Sequence, residues 1–105
     1  MSRPVLQVDT SQRLKVTVAF ADEGTPTQEA KPYGVIGCEV WVKVGGTPPT
    51  DLDDCSFLAT DTRTPYTANF DGAEGGQSAH FIGVWVNGKG ERGPLSQTVS
   101  ATIPG

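Results

Sequence analysis

An antiparallel two-sheet sandwich of seven short strands, all-β in class, is what this chain of 105 residues predicts. Three observations carry that expectation. Apolar and polar residues alternate with a period of two in several windows, and no window shows the apolar stripe of an amphipathic helix. In addition, 13 glycines and 8 prolines punctuate the chain at short intervals. Alternation places every second side chain on one face of a pleated strand, and two such faces stacked about 10 Å apart make a core. A chain of this length buries about 65% of its extended surface on folding, enough for one core, so residues 1–105 are expected to form a single domain.

The elements follow in order. Val5–Val8 reads as a short edge strand with Pro4 at its start, because proline donates nothing to a ladder. Leu14, Val16, Val18 and Phe20 alternate with Lys15, Thr17 and Ala19, the clearest strand of the first half. Residues 22–33 hold Gly24, Pro26 and Pro32 and read as a loop. From Val35 to Val44, Ile36, Cys38, Val40, Val42 and Val44 share the inward face, with Glu39, Trp41 and Lys43 opposite. Residues 45–54 are too rich in Gly, Pro and Asp to extend either ladder. Strands at 57–60 and 66–70 come next, then a polar loop at 73–78. Last come a strand from about Ala79 to Val86 and one from about Gln97 to Ile103, with Val99, Ala101 and Ile103 inward. Between these two, Asn87-Gly88 and Gly90 supply a turn that tolerates positive φ.

Several of these segments resemble the fibronectin type III module, a branch of the immunoglobulin-like folds. Leu14/Val16/Val18/Phe20 is similar to its second strand, Gly37-Cys38-Glu39-Val40-Trp41-Val42 to its third, and Trp85-Val86-Asn87 through Gly93-Pro94-Leu95-Ser96 to its final hairpin. The match spans roughly residues 4 to 103. The family's Trp in the second strand is replaced by Phe20, and Ala79 or Phe81 stands where a Tyr leads the sixth. Gly83 leaves an inward gap that the Trp85 ring is expected to fill, redistributing core volume. The resemblance implies a binding, spacer or assembly module, and an extracellular or cell-surface setting by analogy alone.

The composition narrows the functional classes. A net charge of −4 argues against nucleic acid or anionic lipid as partner, since both demand a cationic surface. No segment approaches the length of a membrane span, and Met1-Ser2-Arg3-Pro4-Val5-Leu6 has no apolar run of signal-peptide length, so a soluble chain without an address is expected. The single histidine, His80, sits mid-strand, where catalytic partners would have to converge on a sheet face. An outward histidine making a side-chain hydrogen bond is the plainer reading. Asp51, Asp53 and Asp54 crowd one loop but lack the glycine and distal glutamate of a calcium-binding loop. A solvated turn is expected, with no metal. The glycines at 72, 75 and 76 and at 88, 90 and 93 match neither dinucleotide nor phosphate-loop spacing, so no cofactor is expected. Cys38 and Cys55 lie out of register on different layers, which favours a buried thiol and a partly exposed one over a disulfide. No enzyme is expected.

One feature exceeds a plain sandwich. With Phe81, Gly83 and Trp85 inward, Ile82, Val84 and Val86 point outward beside Trp41, a second apolar face of a few hundred Å² if uncovered. Such a face meets another protein chain or domain, including a second copy of this one, or else the long loops fold over it, or the inward and outward assignment is reversed. Separately, the loop carrying Lys89, Glu91 and Arg92 is a candidate contact, since sandwiches often present ligands from loops at one end. Carbohydrate is the first small ligand to consider, with Trp41 as a stacking platform. The sequence therefore points to a non-enzymatic module that binds, spaces or assembles. A self-associating structural subunit and a carbohydrate-binding accessory domain are the alternatives.

Overall fold

The computed structural model describes residues 2–24 and 34–105, so the loop expected over 22–33 lies, beyond Gly24, outside the described residues. The described residues form eight strands: β1 (Pro4–Asp9), β2 (Lys15–Asp22), β3 (Val35–Val44), β4 (Ser56–Asp61), β5 (Tyr66–Asn69), β6 (Ser78–Asn87), β7 (Arg92–Leu95) and β8 (Val99–Thr102). They form an antiparallel sheet in the order β1-β2-β5 and a second in the order β4-β3-β6-β7, with β8 also paired to β6. Single 3-10 turns occupy Leu52–Asp54 and Gly72–Glu74.

The additional strand is β7, which forms ahead of the last strand expected from about Gln97 to Ile103; β8 occupies the middle of that expected strand. Because β3 occupies one edge of β6, both β7 and β8 lie along the other, β7 beside Val84 and Val86 and β8 beside residues 78–81. Between them Ser96 keeps the seam closed. Its N–H donates to Gly83 O at 2.8 Å, and the Gly83 N–H donates back to the Ser96 hydroxyl at 2.8 Å. A side-chain oxygen thus completes the pairing that the bend takes from the backbone.

Register decides the faces. Val16, Val18 and Phe20 of β2 and Leu6 of β1 point into the core, where they meet Cys38, Val40 and Val42 of β3 and Ala79, Phe81 and Trp85 of β6. The alternation therefore assigned these strands their inner faces. Leu14 packs against the same core, but its φ of +57° places it in the left-handed region, ahead of β2 rather than within it. There it ties two segments, donating to Pro104 O at 2.7 Å and accepting from Phe70 N at 2.9 Å. Ile36 departs from the alternation. A register shift between Val35 and Gly37 buries Val35 and leaves Ile36 50% exposed, reversing the expected inward placement. Val99 and Ala101 pair with Phe81 and Ala79 and are half-buried, while Ile103, just past β8, is fully buried.

The gap at Gly83 is closed by the opposite sheet, not by Trp85. A Cβ there would fall 2.9 Å from Leu6 Cδ2, 3.2 Å from Cys38 Sγ and 3.4 Å from Pro4 Cγ, so the missing side chain is what lets β1 settle onto β6. Trp85 instead packs edge-on against Phe20, ring centroids 5.9 Å apart, so the large ring absent from β2 is supplied by β6. In the final hairpin only Gly90 takes a positive φ, +80°. Asn87 works through its side chain, whose Oδ1 accepts from Lys89 N at 2.9 Å and Glu91 N at 3.0 Å.

Val18 and Val40 have no exposed surface. Val18→Asp or Val40→Asp should each cost more than about 4 kcal/mol by burying an unpaired charge, enough to unfold a domain of ordinary stability. Half-exposed Phe57 is the control: Phe57→Asp should cost only about 1 kcal/mol, the worth of its edge-on contact with Trp41, and leave the domain folded. A Val40→Asp chain that melts like the wild type by circular dichroism would reverse the face assignment.

Candidate interaction face

The outer face of the larger sheet is set by pairing. Glu39, Trp41 and Lys43 of β3 stand opposite Val84, Ile82 and His80 of β6, while Arg92 stands opposite Val86 and Leu95 opposite Val84. Ile82, Val84 and Val86 thus point away from Trp85, as expected. They are not a free patch: their exposures are 1%, 0% and 5%.

Two coverings account for this. The first is Arg92, whose strand lies on one side of β6 while its target lies on the other. Its guanidinium reaches Glu39 Oε1 at 2.8 Å and sits 5.6 Å from the centre of the Trp41 ring, so the aliphatic stem crosses β6. Glu39 Oε1 also accepts from Trp41 Nε1 at 3.2 Å. The second covering is the loop after β3. Gly45 and Gly46, with φ of +78° and +69°, turn it back toward β6. The His80 ring meets Gly46 O at 3.1 Å through Nε2, Thr98 Oγ1 donates to Pro49 O at 3.0 Å, and Pro49 is buried. The intrachain alternative is thus the one realised: a loop and a long cationic side chain fold over the face.

What stays at the surface is aromatic and charged. Phe57 of β4, opposite Trp41 in register, is 50% exposed and packs edge-on against the half-buried Trp41, ring centroids 5.2 Å apart. Trp41 and Arg92, drawn from separate candidate groups, therefore meet in one cluster with Glu39 and Phe57. The other two loop candidates do not join it. The Glu91 carboxylate accepts from Asn87 Nδ2 at 2.8 Å, and Lys89 is exposed in the turn. Sequence reasoning missed Phe57 and Glu39 as members. Glu39 was readable, since it lies two residues before Trp41 on the same strand face. Phe57 was not, because a register shift of β4 against β3 between Val40 and Trp41 decides that it faces Trp41.

The remaining chemical groups are bound into the fold. His80 is 4% exposed, with Nδ1 2.6 Å from Ser100 Oγ and Nε2 committed to Gly46 O. Asp51 caps the 3-10 turn by accepting from Asp53 N at 3.0 Å, and Asp54 pairs with Lys43 at 2.8 Å. Among the described residues no group of three or more His, Cys, Asp or Glu is placed to hold a metal ion. No helix among them is long and apolar enough to cross a membrane. Cys38 and Cys55 are free thiols, the first buried and the second half-buried. Burial pushes the Cys38 thiol up from 9.0 to about 12, and burial together with the Asp54 and Asp51 carboxylates raises that of Cys55.

Two measurements probe this chemistry. A double-mutant cycle between Arg92→Ala and Glu39→Ala should return a coupling of about 0.5–1.5 kcal/mol, diminished by salt, as fits a pair with one half-exposed member above an aromatic ring. For the thiols, the folded state holds the Cys38 proton to higher pH than the unfolded chain does. Its contribution to stability is complete below pH 9.0 and is lost as the pH rises toward 12. The wild type should lose up to about 1.4 kcal/mol per pH unit above that point relative to Cys38→Ala. Parallel stability curves for the two proteins would contradict the burial assigned to Cys38.

Thirteen chains of known structure match this one. One, described as a myokine structure, superposes with a TM-score of 0.68 at 14% identity over 99% of this chain and 98% of that one. The fibronectin type III domain of human fibronectin type III domain containing protein 3 superposes with a TM-score of 0.61 at 11% identity, over 98% of this chain and 85% of that one. No family model and no curated protein matches the sequence. At such identities the likeness speaks for the fold, and the sheet orders β1-β2-β5 and β4-β3-β6-β7 agree with it. The chain has the fold of a fibronectin type III-like β-sandwich.

Proposed function

We propose that this chain is a non-enzymatic module of fibronectin type III type that binds, spaces or assembles, and that its partner is another protein chain or domain. The observation that carries the reading is the Trp41–Phe57 pair, held on a sheet face by the Arg92–Glu39 bridge and half-exposed at Phe57. Aromatic residues with arginine, preformed on a rigid element, are the composition of an interface centre, because little side-chain freedom remains to be lost on docking. The commitment of both His80 nitrogens supports the non-enzymatic part. A self-associating subunit would use the same cluster, with its own copy as partner. A sugar ring would first have to displace Arg92 from above Trp41, which favours protein over carbohydrate.

Photo-crosslinking tests the reading in the native host. A benzophenone side chain at position 57 should capture a polypeptide, whereas one at exposed Thr67 on the opposite sheet should not. An adduct containing only this chain would assign the self-associating form. Capture at neither position would remove the binding role.

A further inference from the structure

Among the described residues, the open strand edges are β1 and β5 in the smaller sheet and β4 and the β7–β8 return in the larger. Most are blunted against further pairing. β1 begins at Pro4, β7 contains Pro94, and β5 has only four residues. β4 is different: its six residues, Ser-Phe-Leu-Ala-Thr-Asp, include neither proline nor lysine, and β3 pairs with it on one side only. An edge of that length extends about 20 Å.

A groove lies beside this edge. Its apolar lining is Val42, Val44, Leu58 and Phe70, flanked by Lys43, Asp54 and Glu74. It forms where the three-stranded sheet ends at β5 while the larger continues through β3 to β4, leaving the overhanging strand without a counterpart. A strand added to β4 would send alternate side chains toward this groove and the others to the side that carries Phe57.

The charges around the edge select the partner. Asp51, Asp53 and Asp54 immediately precede β4, Asp61 ends it, and Glu74 stands at the groove. The groove's own cation, Lys43, is committed to Asp54 at 2.8 Å. Two-fold antiparallel pairing of β4 with a second copy would set the three aspartates of one chain's turn against Asp61 of the other, a like-charge arrangement that exposed Arg63, two residues beyond, offsets only in part.

We infer that β4 accepts an extended segment of a different protein, apolar at every second position and carrying lysine or arginine at its ends. The inference rests on the binding role proposed above and names its surface and partner. Phe57 serves both surfaces, since its ring packs on Trp41 while its backbone belongs to the open edge.

The probe is a synthetic peptide of alternating valine and threonine ended by lysines, with an aspartate-ended twin as control, added to the whole chain. The lysine-ended peptide should slow amide hydrogen exchange within residues 56–61, and its affinity should fall with salt. Leu58→Lys should weaken it at least about tenfold, or about 1.4 kcal/mol, while far-UV circular dichroism stays that of the wild type. Asp53→Lys, at an exposed position, should weaken it independently if the first variant disturbs the fold. Equal affinity for both peptides, protection at β1 or β7 instead of β4, or sedimentation showing self-association abolished by Leu58→Lys would each overturn the inference. If the peptide fails to bind while position 57 still captures another chain, this inference falls and the binding role stands. If both fail, both fall.

Discussion

Residues 79–86 of β6 are buried without a break, so this strand must be covered on both faces. A strand in an antiparallel sandwich ordinarily needs a covering on one face only, the other meeting water. Here the inner face is met by the smaller sheet. The outer face is met by structure built out of β6's own neighbours. Much of what is unusual in the molecule follows from supplying that second cover.

On the inner side, closeness is the device. With no Cβ at Gly83, β1 approaches until Leu6 and Pro4 occupy the space beside Cys38, and Trp85 two residues on takes up volume against Phe20. On the outer side, reach is the device. Arg92 spans β6 to bind Glu39 and Trp41, and the loop after β3 returns to His80 and Thr98. An arginine suits this task because its stem is apolar while its planar head pairs with a carboxylate and stacks on an aromatic ring at once. His80 and Thr98, polar groups at a buried seam, are satisfied by loop carbonyls, which holds the covering loop in one place.

The same arrangement explains where a partner can meet the molecule. Once Ile82, Val84 and Val86 are covered, surface chemistry collects at the margin, where Trp41 and Phe57 emerge beside the β4 edge. β4 overhangs because the two sheets differ in strand number, and its acidic flanks give the edge a sign. The aromatic cluster, the open edge and the groove are thus contiguous parts of one side of the sandwich.

Strand alternation made most of the core legible from sequence. Val16, Val18, Phe20, Val40 and Val42 were assigned inward by period and are inward, as are Phe81 and Trp85, whose strand is apolar on both faces and whose direction period left open. The alternation failed at Ile36, where a register shift changes the face locally, while Leu14 reaches the core from a left-handed residue ahead of β2. The opposed faces of β6 were also readable, because successive side chains on a strand must point to opposite sides. Whether the outer face was open was not. That turned on Arg92 and Glu39 lying on either side of β6, and on Gly46 and His80, 34 positions apart, meeting across a loop. Period and turn chemistry act between residues a few positions apart, and they suffice for the strands and their two-sided character. Coverage is a contact between distant segments, so it comes from how the folded chain brings those segments together.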